Sequence, residues 1–173
     1  MKLEQAKQIA ERWLELLKPY TERIEIAGSI RREKPEVKDI ELVCVPRMDS
    51  EPDMFGTLRA YNTLNRYILE NAVYCTKNGD RYKQIVTGVD IKLDLFIVLP
   101  PAQWGVIFLI RTGSAQYSHR FVTPKREGGL LPSHMKVANG ALLMNGKPLM
   151  TPEEIDVFRL AGAPWVEPKW RTA

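Results

Sequence analysis

The sequence contains only two cysteines, Cys44 and Cys75, among its 173 residues. They have neither the paired spacing of a zinc site nor the density of a disulfide framework, so we expect two buried thiols in a reducing cytosol. A long uninterrupted apolar run is also absent, because Pro100, Pro101 and Gln103 break the longest apolar stretch, LDLFIVLPPAQWGVIFLI. This stretch predicts a buried strand followed by a helix rather than a membrane span.

The N-terminal segment lacks the apolar core of a signal peptide, since acidic residues interrupt the apolar positions of MKLEQAKQIAERWLELL. We therefore expect a cytoplasmic protein. The same apolar positions recur at three- and four-residue spacing, which predicts an amphipathic helix that Pro19 ends. The chain is long and apolar enough for one globular unit with a real core, and its formal charge of +4 suits a polyanionic partner without requiring one.

Strand-type runs alternate with turns in the first hundred residues. Residues 23–27 and 40–45 have the composition of two strands, and a Gly-Ser turn follows the first of them. Residues 54–70 carry four apolar residues on one helical stripe, so we predict a covering helix there. Residues 73–98 predict three antiparallel strands, because Asn-Gly and Thr-Gly pairs separate three β-type segments.

Helical and hairpin signals follow Pro100, which is the predicted lobe boundary. Residues 104–111 have a helical pattern, and Asn-Gly pairs at 139–140 and 145–146 predict two hairpin turns. Residues 151–154, Thr-Pro-Glu-Glu, predict a capping box with proline at the first helical position. The second part of the chain should therefore contain both helices and a small antiparallel sheet.

Three acidic residues have the placement of metal ligands. Asp39 and Glu41 are two residues apart on one predicted strand, so both point to one face, although a solvated strand end would give the same pattern. Asp94 lies in an apolar strand, where burial requires a cation or hydrogen bonds. Asp90 shares its face but lies about 13 Å along the strand, and we interpret it as an edge charge. Lys92, on the same face, could contact a substrate phosphate or neutralise these acids.

A polar turn lies eleven residues upstream of Asp39, in the segment Gly28-Ser29-Ile30-Arg31-Arg32. It combines a tight turn, exposed backbone N–H groups, a hydroxyl and two guanidinium groups. These groups suit phosphate oxygens, although a plain turn with surface arginines would have the same sequence. The segment by itself does not indicate a phosphate site, and only its spacing to the acidic residues makes it informative.

Taken together, the G-S-x-R-R segment, the D-x-E pair and the later strand Asp94 resemble the signature of the nucleotidyltransferase superfamily. The narrower resemblance is to family X DNA polymerases. Lys92-Leu93-Asp94 is similar to the third-carboxylate strand of that family, and Thr112-Gly113-Ser114 resembles its T-G-S thumb motif. The segment 151–168, with its TPEE, DVFRL and PW elements, resembles the C-terminal thumb of the family. Nothing in the chain corresponds to the helix-hairpin-helix fingers or the N-terminal lyase domain.

The resemblance implies an α+β fold and a DNA-directed DNA polymerase. Residues 1–100 would form a nucleotidyltransferase palm, a mixed, largely antiparallel sheet covered by helices, and residues 101–173 would form a small α/β thumb. The enzyme would add nucleotides to a DNA 3′-hydroxyl by two-metal phosphoryl transfer, filling gaps in DNA repair with modest fidelity. Its partners would be gapped or primer–template DNA and nucleoside triphosphates, and it would be a monomer.

The resemblance also assigns roles to individual residues. Asp39, Glu41 and Asp94 would be the catalytic ligands of two Mg²⁺ ions, for which Mn²⁺ could substitute, although the family has aspartate where Glu41 stands. The nucleotide would be bound by residues of the polar turn, the D-x-E strand and the T-G-S region: Gly28, Ser29, Arg32, Lys38, Ile110, Arg111, Gly113 and Ser118. DNA would be bound by basic residues on both lobes: Lys92, His119, Arg120, Lys125 and Arg126.

Two other functions stay open, because the superfamily transfers nucleotides to several kinds of acceptor and because this chain departs from the family pattern at Glu41 and after it. Ile110 and Arg111 stand where many relatives have the aromatic residues that exclude ribonucleotides, and Ser118 replaces an asparagine that reads the incoming base. The first alternative is an untemplated nucleotidyltransferase that acts on a nucleic-acid end or another acceptor. The second is a catalytically weak DNA-binding module.

Overall fold

The computed structural model describes residues 1–172, which form an α+β fold. The elements before residue 100 are α1 (Leu3–Leu17), β1 (Thr21–Ile26), α2 (Gly28–Arg31), β2 (Asp39–Pro46), β3 (Met48–Pro52), β4 (Leu58–Asn62), α3 (Thr63–Glu70), β5 (Cys75–Asn78), β6 (Tyr82–Val86) and β7 (Lys92–Ile97). Those after residue 100 are α4 (Trp104–Thr112), α5 (Ala115–Val122), β8 (Met135–Ala138), β9 (Ala141–Met144), β10 (Lys147–Pro148) and α6 (Glu154–Ala161).

The main sheet has five strands in the order β1-β2-β7-β6-β5. Only the central β2–β7 pair is parallel, and the other pairs are antiparallel. The mixed, largely antiparallel sheet and the meander of β5, β6 and β7 are therefore as predicted. The parallel pair matters most for function, because it aligns the N-terminal ends of two strands that carry acidic residues.

One face of this sheet is buried by helices. Apolar side chains of α1 and α3 pack against alternate residues of β2 and β7, as a period of two requires. The fully buried members of this core include Ala6, Ala10, Leu17, Leu64, Ile40, Leu42, Leu93 and Leu95. The residues between them point to the opposite face, which α1 and α3 leave free.

A second apolar cluster lies in the part of the chain after residue 100. Helices α4, α5 and α6 enclose it together with the antiparallel sheet β8–β9–β10, and Leu109, Phe121 and Phe158 lie at its centre. A smaller cluster joins the two parts, where Trp104 and Phe108 of α4 pack against the β2 face through Val43 and its neighbours. The division at residue 100 into two domains stays a prediction. No helix within residues 1–172 has the length and apolar character needed to cross a membrane.

The helix predicted over residues 54–70 is present only in its second half. Residues 48–62 form the β3–β4 hairpin, and α3 begins only after Asn62, whose side chain accepts a hydrogen bond from the Asn65 amide at 3.1 Å. The hairpin leaves Met54 and Phe55 at its tip almost fully exposed. The apolar stripe was misleading because its first half packs against no core.

Three boundaries also differ from those predicted. Gly28–Arg31 is a single helical turn rather than a plain turn. Helix α6 is capped by Glu153, whose partner in the capping box is Asp156, so Pro152 lies before the helix. Asp90 precedes β7 and does not share a strand with Asp94. The two Asn-Gly turns were predicted correctly, and each places both of its residues at positive φ.

Candidate active site

The register of the parallel pair brings the predicted acidic residues together. Asp39 lies opposite Lys92, and Glu41 lies opposite Asp94. Directly paired strands are about 4.8 Å apart, and all four residues point to the face that α1 and α3 leave free. Asp39, Glu41 and Asp94 are each only partly buried, and the apolar residues that alternate with them along the strands, Ile40, Leu42, Leu93 and Leu95, are fully buried. The strand alternation therefore produces one acidic patch on an otherwise apolar pair of strands.

Gly28 makes room for the carboxylate of Glu41. A Cβ atom added to Gly28 would lie 1.7 Å from Glu41 Oε2, and the backbone there has φ +60°. Both facts require glycine, because a side chain would collide with the carboxylate and would strain the backbone. The polar turn and the D-x-E strand are therefore in direct contact, which fixes where Glu41 can lie.

Burial and mutual repulsion raise the pKa of two of the acidic residues. The pKa of Glu41 is raised to about 7, mainly by burial and then by the charge of Asp39. Burial and the charge of Asp94 raise the pKa of Asp39 as well. Arg32 and Arg111 oppose these shifts at Glu41, yet they do not cancel them. A divalent cation would be attracted here, since it relieves the repulsion that raises both pKa values.

Asp94 is the one acidic residue of the three that receives hydrogen bonds from side chains of the described chain. Tyr82 Oη donates to Asp94 Oδ1 at 2.7 Å, and Gln84 Nε2 donates to the same oxygen at 3.0 Å. Sequence reasoning required a partner for Asp94 but did not find these two. The pairing of β6 with β7 places Gln84 directly opposite Asp94, so an exact hairpin register would have revealed it.

The arginines of the polar turn link this site to α4 and α6. Arg32 Nη1 donates to the carbonyl oxygens of Thr112 and Gly113 at 2.6 and 3.0 Å. Arg31 donates to Thr112 Oγ1 at 2.6 Å and to both carboxylate oxygens of Glu154. Two buried polar atoms of the turn, Ser29 Oγ and Arg32 Nε, have no hydrogen-bond partner within the described residues.

The residues around the T-G-S turn divide into two groups. Arg111 faces the site: its guanidinium lies 3.9 Å from the ring centroid of Phe96, and burial lowers its pKa. Ile110 packs against the second apolar cluster instead. Ser118 is buried and its hydroxyl donates to the Ile110 carbonyl at 2.8 Å, while Gly113 lies against it. The hydroxyl of Ser118 thus already has a partner inside the protein.

A positively charged cleft adjoins the acidic patch. It comprises a cavity of about 300 Å³ lined by Arg81, Phe96 and Arg111, and a neighbouring one lined also by Lys77 and Tyr82. No acidic residue lines either cavity within the described part of the chain. Lys77 and Arg81 were not among the predicted site residues, because only the β5–β6 hairpin brings them beside Arg111.

The remaining predicted contact residues are exposed basic side chains. Lys38 and Lys92 lie at the N-terminal ends of β2 and β7, beside Asp39. The predicted DNA-binding residues of the second part of the chain are also exposed, on α5 and the turn that follows it: His119, Arg120, Lys125 and Arg126. Arg126 forms a surface ion pair with Glu127 at 3.1 Å. The other side chains form no ion pair with the described residues and are exposed to a polyanion.

The described residues contain no group of three His, Cys, Asp or Glu side chains close enough to hold one metal ion by themselves. Mg²⁺ seldom requires such a group, because it is usually bound by one or two carboxylates together with water and substrate phosphates. The carboxylate oxygens of Asp39, Glu41 and Asp94 are the donors that Mg²⁺ prefers. The acidic patch therefore fits a metal that arrives with a phosphate ligand.

Comparison with known proteins gives a distant relative. No family model matches the chain. DNA polymerase lambda of Rattus norvegicus is 28% identical over 159 residues, an alignment that covers 83% of this chain. The chain spans only 28% of the length of that polymerase. This similarity indicates a distant relationship to a DNA polymerase. It agrees with the resemblance of the sequence motifs to family X DNA polymerases.

Proposed function

We propose that the chain is a nucleotidyltransferase that adds nucleotides to a DNA 3′-hydroxyl, as a family X-like DNA polymerase filling gaps in DNA repair. The observation that carries this proposal is the acidic patch of Asp39, Glu41 and Asp94 on two parallel strands, in contact with the polar turn through Gly28. The distant similarity to DNA polymerase lambda supports the same reaction class. In this proposal the five-stranded sheet is the palm and residues 101–173 are the thumb.

Asp39, Glu41 and Asp94 would hold two Mg²⁺ ions, with phosphate oxygens and water completing the coordination. Bound ions of this kind lower the pKa of an attacking hydroxyl and stabilise a departing pyrophosphate. Mn²⁺ would serve as well, since it accepts the same oxygen ligands. Glu41 has one more methylene than the family's aspartate, and the open space over Gly28 is what accommodates its longer side chain.

The groups left without partners in the polar turn would bind the triphosphate. Ser29 Oγ and Arg32 Nε are buried donors without an acceptor, a costly arrangement that phosphate oxygens would relieve. Arg111 would lie beside the sugar and the reacting phosphate, because its charge acts on both Glu41 and Asp94. Arg111 stands where many relatives have an aromatic ring that excludes a ribose 2′-hydroxyl, so we expect weak discrimination against ribonucleotides.

Basic residues on both sides of the patch would bind the DNA backbone. The cleft lined by Lys77, Arg81 and Arg111 carries three positive charges beside the acidic patch. The exposed basic residues on and after α5 offer a second contact region. Such contacts position a duplex without reading its sequence, and their strength falls as the salt concentration rises.

The proposed function is tested by incorporation on a duplex with a one-nucleotide gap. Each of the four deoxynucleotides is offered opposite each template base, with Mg²⁺ or Mn²⁺, and ribonucleotides are offered in parallel. We expect the complementary nucleotide to be incorporated preferentially. Incorporation that ignores the template base would favour the untemplated transferase. Tight binding of gapped DNA with no incorporation under either metal would favour the DNA-binding module.

A further inference from the structure

The two side chains that bind Asp94 converge on a single oxygen. Tyr82 Oη and Gln84 Nε2 both donate to Oδ1, at 2.7 and 3.0 Å. Within the described residues no side chain or backbone N–H donates to Oδ2. The carboxylate thus has one oxygen occupied by hydrogen bonds and one oxygen open to another ligand.

The order of the strands determines which side of the carboxylate stays open. Strand β7 lies between β6 and β2, so the donors approach Asp94 from the β6 side. Glu41 lies opposite Asp94 on the other side, on β2. The donors from β6 therefore occupy Oδ1, and Oδ2 is the oxygen left for a ligand shared with the residues of β2. The arrangement resembles a hydrogen-bonding shell that orients a metal ligand from behind.

The two donors are themselves held in place. Thr76 Oγ1 donates to Gln84 Oε1 at 2.8 Å, which fixes the amide so that its NH₂ group faces Asp94. The ring of Tyr82 stacks on Phe96 with centroids 5.3 Å apart, and the ammonium of Lys77 lies 5.5 Å from its centroid. A tyrosine phenol keeps its proton at neutral pH, so Tyr82 Oη is a hydrogen-bond donor to Asp94.

We propose that Tyr82 is a positioning residue, which together with Gln84 orients Asp94 so that Oδ2 is presented to a divalent cation shared with Glu41. This inference rests on the proposed function, because it assumes that the acidic patch binds a metal. It adds an assignment for β6, a strand that carries none of the predicted site residues. Removal of a partner that orients a metal ligand typically lowers metal affinity by about 10- to 100-fold.

The test measures Mn²⁺ binding to the whole chain in the presence of a nucleoside triphosphate and without DNA. Free Mn²⁺ is followed by its electron paramagnetic resonance signal as the protein is titrated. We expect Tyr82→Phe, which keeps the ring and removes one oxygen, to raise the Mn²⁺ dissociation constant about 10-fold. Thr76→Val should raise it less, because Thr76 acts only through Gln84. Tyr74→Phe is the matched control, since Tyr74 is exposed and its hydroxyl has no role in the site.

A second readout separates positioning from a general loss of structure. In primer extension Tyr82→Phe should require about 10-fold more metal for half-maximal rate, while the KM for nucleotide at saturating metal stays within about 2-fold of wild type. Thermal melting of each variant in the absence of metal checks that the fold is intact.

The possible outcomes distinguish this inference from the proposed function. If Asp94→Asn weakens Mn²⁺ binding and Tyr82→Phe does not, Tyr82 has no positioning role, and the proposed function is unaffected. If Asp94→Asn itself binds Mn²⁺ as tightly as wild type, the metal site in the acidic patch is wrong, and the proposed function fails with it. A rise in the nucleotide KM of Tyr82→Phe without a change in metal requirement would also overturn the positioning role.

Discussion

Replacing Glu154 with glutamine should destabilise the protein more than any other single change of one charge at the junction between its two parts. Glu154 is only 4% exposed, and its carboxylate accepts hydrogen bonds from Arg31 at 3.0 and 2.9 Å and from Arg171. Arg171 is fully buried, and its guanidinium also lies over the rings of Phe158 and Trp165. One carboxylate therefore neutralises two guanidinium groups that have little access to water.

The magnitude follows from what the glutamine would leave behind. Breaking a buried ion pair by removing one partner costs about 3–5 kcal/mol, because the remaining charge stays buried without compensation. The free energy of unfolding of a single domain is about 5–15 kcal/mol, so this loss is a large fraction of it. We expect the urea midpoint of Glu154→Gln to fall by about 1.5–2.5 M, for a slope of about 2 kcal/mol per molar.

The assay is equilibrium unfolding in urea, followed by circular dichroism and by tryptophan fluorescence. Glu25→Gln is the matched control, since Glu25 pairs with Arg23 at 2.7 Å while 40% of its side chain is exposed. An exposed pair of this kind contributes about 0–1 kcal/mol. Equal losses for the two variants, or a loss below about 1 kcal/mol for Glu154→Gln, would refute the reasoning.

Three further predictions concern the site and the thiols. Gly28→Ala should abolish nucleotide incorporation, because the added Cβ would displace the Glu41 carboxylate. Gly88→Ala is the control: Gly88 has a similar positive φ but nothing within 4 Å of the added Cβ, so this variant should lose only stability. Equal activities of the two variants would contradict this prediction. Without metal, the free energy of unfolding should fall by up to ~3 kcal/mol as the pH rises from about 4.5 to about 7. The reason is that Glu41 loses its proton at a lower pH in the unfolded chain than in the folded protein. Urea titrations at several pH values should show that Glu41→Gln lacks this pH dependence. Cys75 should react with a thiol reagent in the native state, while Cys44, whose pKa is raised to about 12 by burial, should react only after unfolding.

The sequence pattern predicts the acidic patch well because its cause is local. Two carboxylates two residues apart on a strand share a face whatever the rest of the fold does. Asp94 needed only the observation that an acid in an apolar strand requires compensation. The Asn-Gly turns at 139–140 and 145–146 were equally local, since only residues that tolerate positive φ can occupy them. The family resemblance then supplied the distance between these pieces.

Features that depend on distant contacts could not be predicted in this way. The hydrogen-bond partners of Asp94 depend on the register of β6 against β7. The sequence of the loop between these strands does not predict that register. Arg31 and Glu154 are 123 residues apart, so the local sequence around either residue does not predict their ion pair. Residues 54–70 show the opposite error: Leu58 and Tyr61 fit an apolar helical stripe, but both lie in the β3–β4 hairpin, where Leu58 is exposed. Apolar spacing reports burial only where a core exists to receive it.

The most direct test of the central claim is the single-turnover rate of nucleotide addition to a gapped DNA primer by Asp94→Asn and by Asp90→Asn. Asp90 is an acid four residues upstream that lies outside β7, so its loss should leave the rate within about 2-fold of wild type. Asp94→Asn should be slower by about 100-fold or more, because it removes a ligand whose charge stabilises the transition state. Full activity of Asp94→Asn, or no addition by the wild-type chain with either Mg²⁺ or Mn²⁺, would contradict the account.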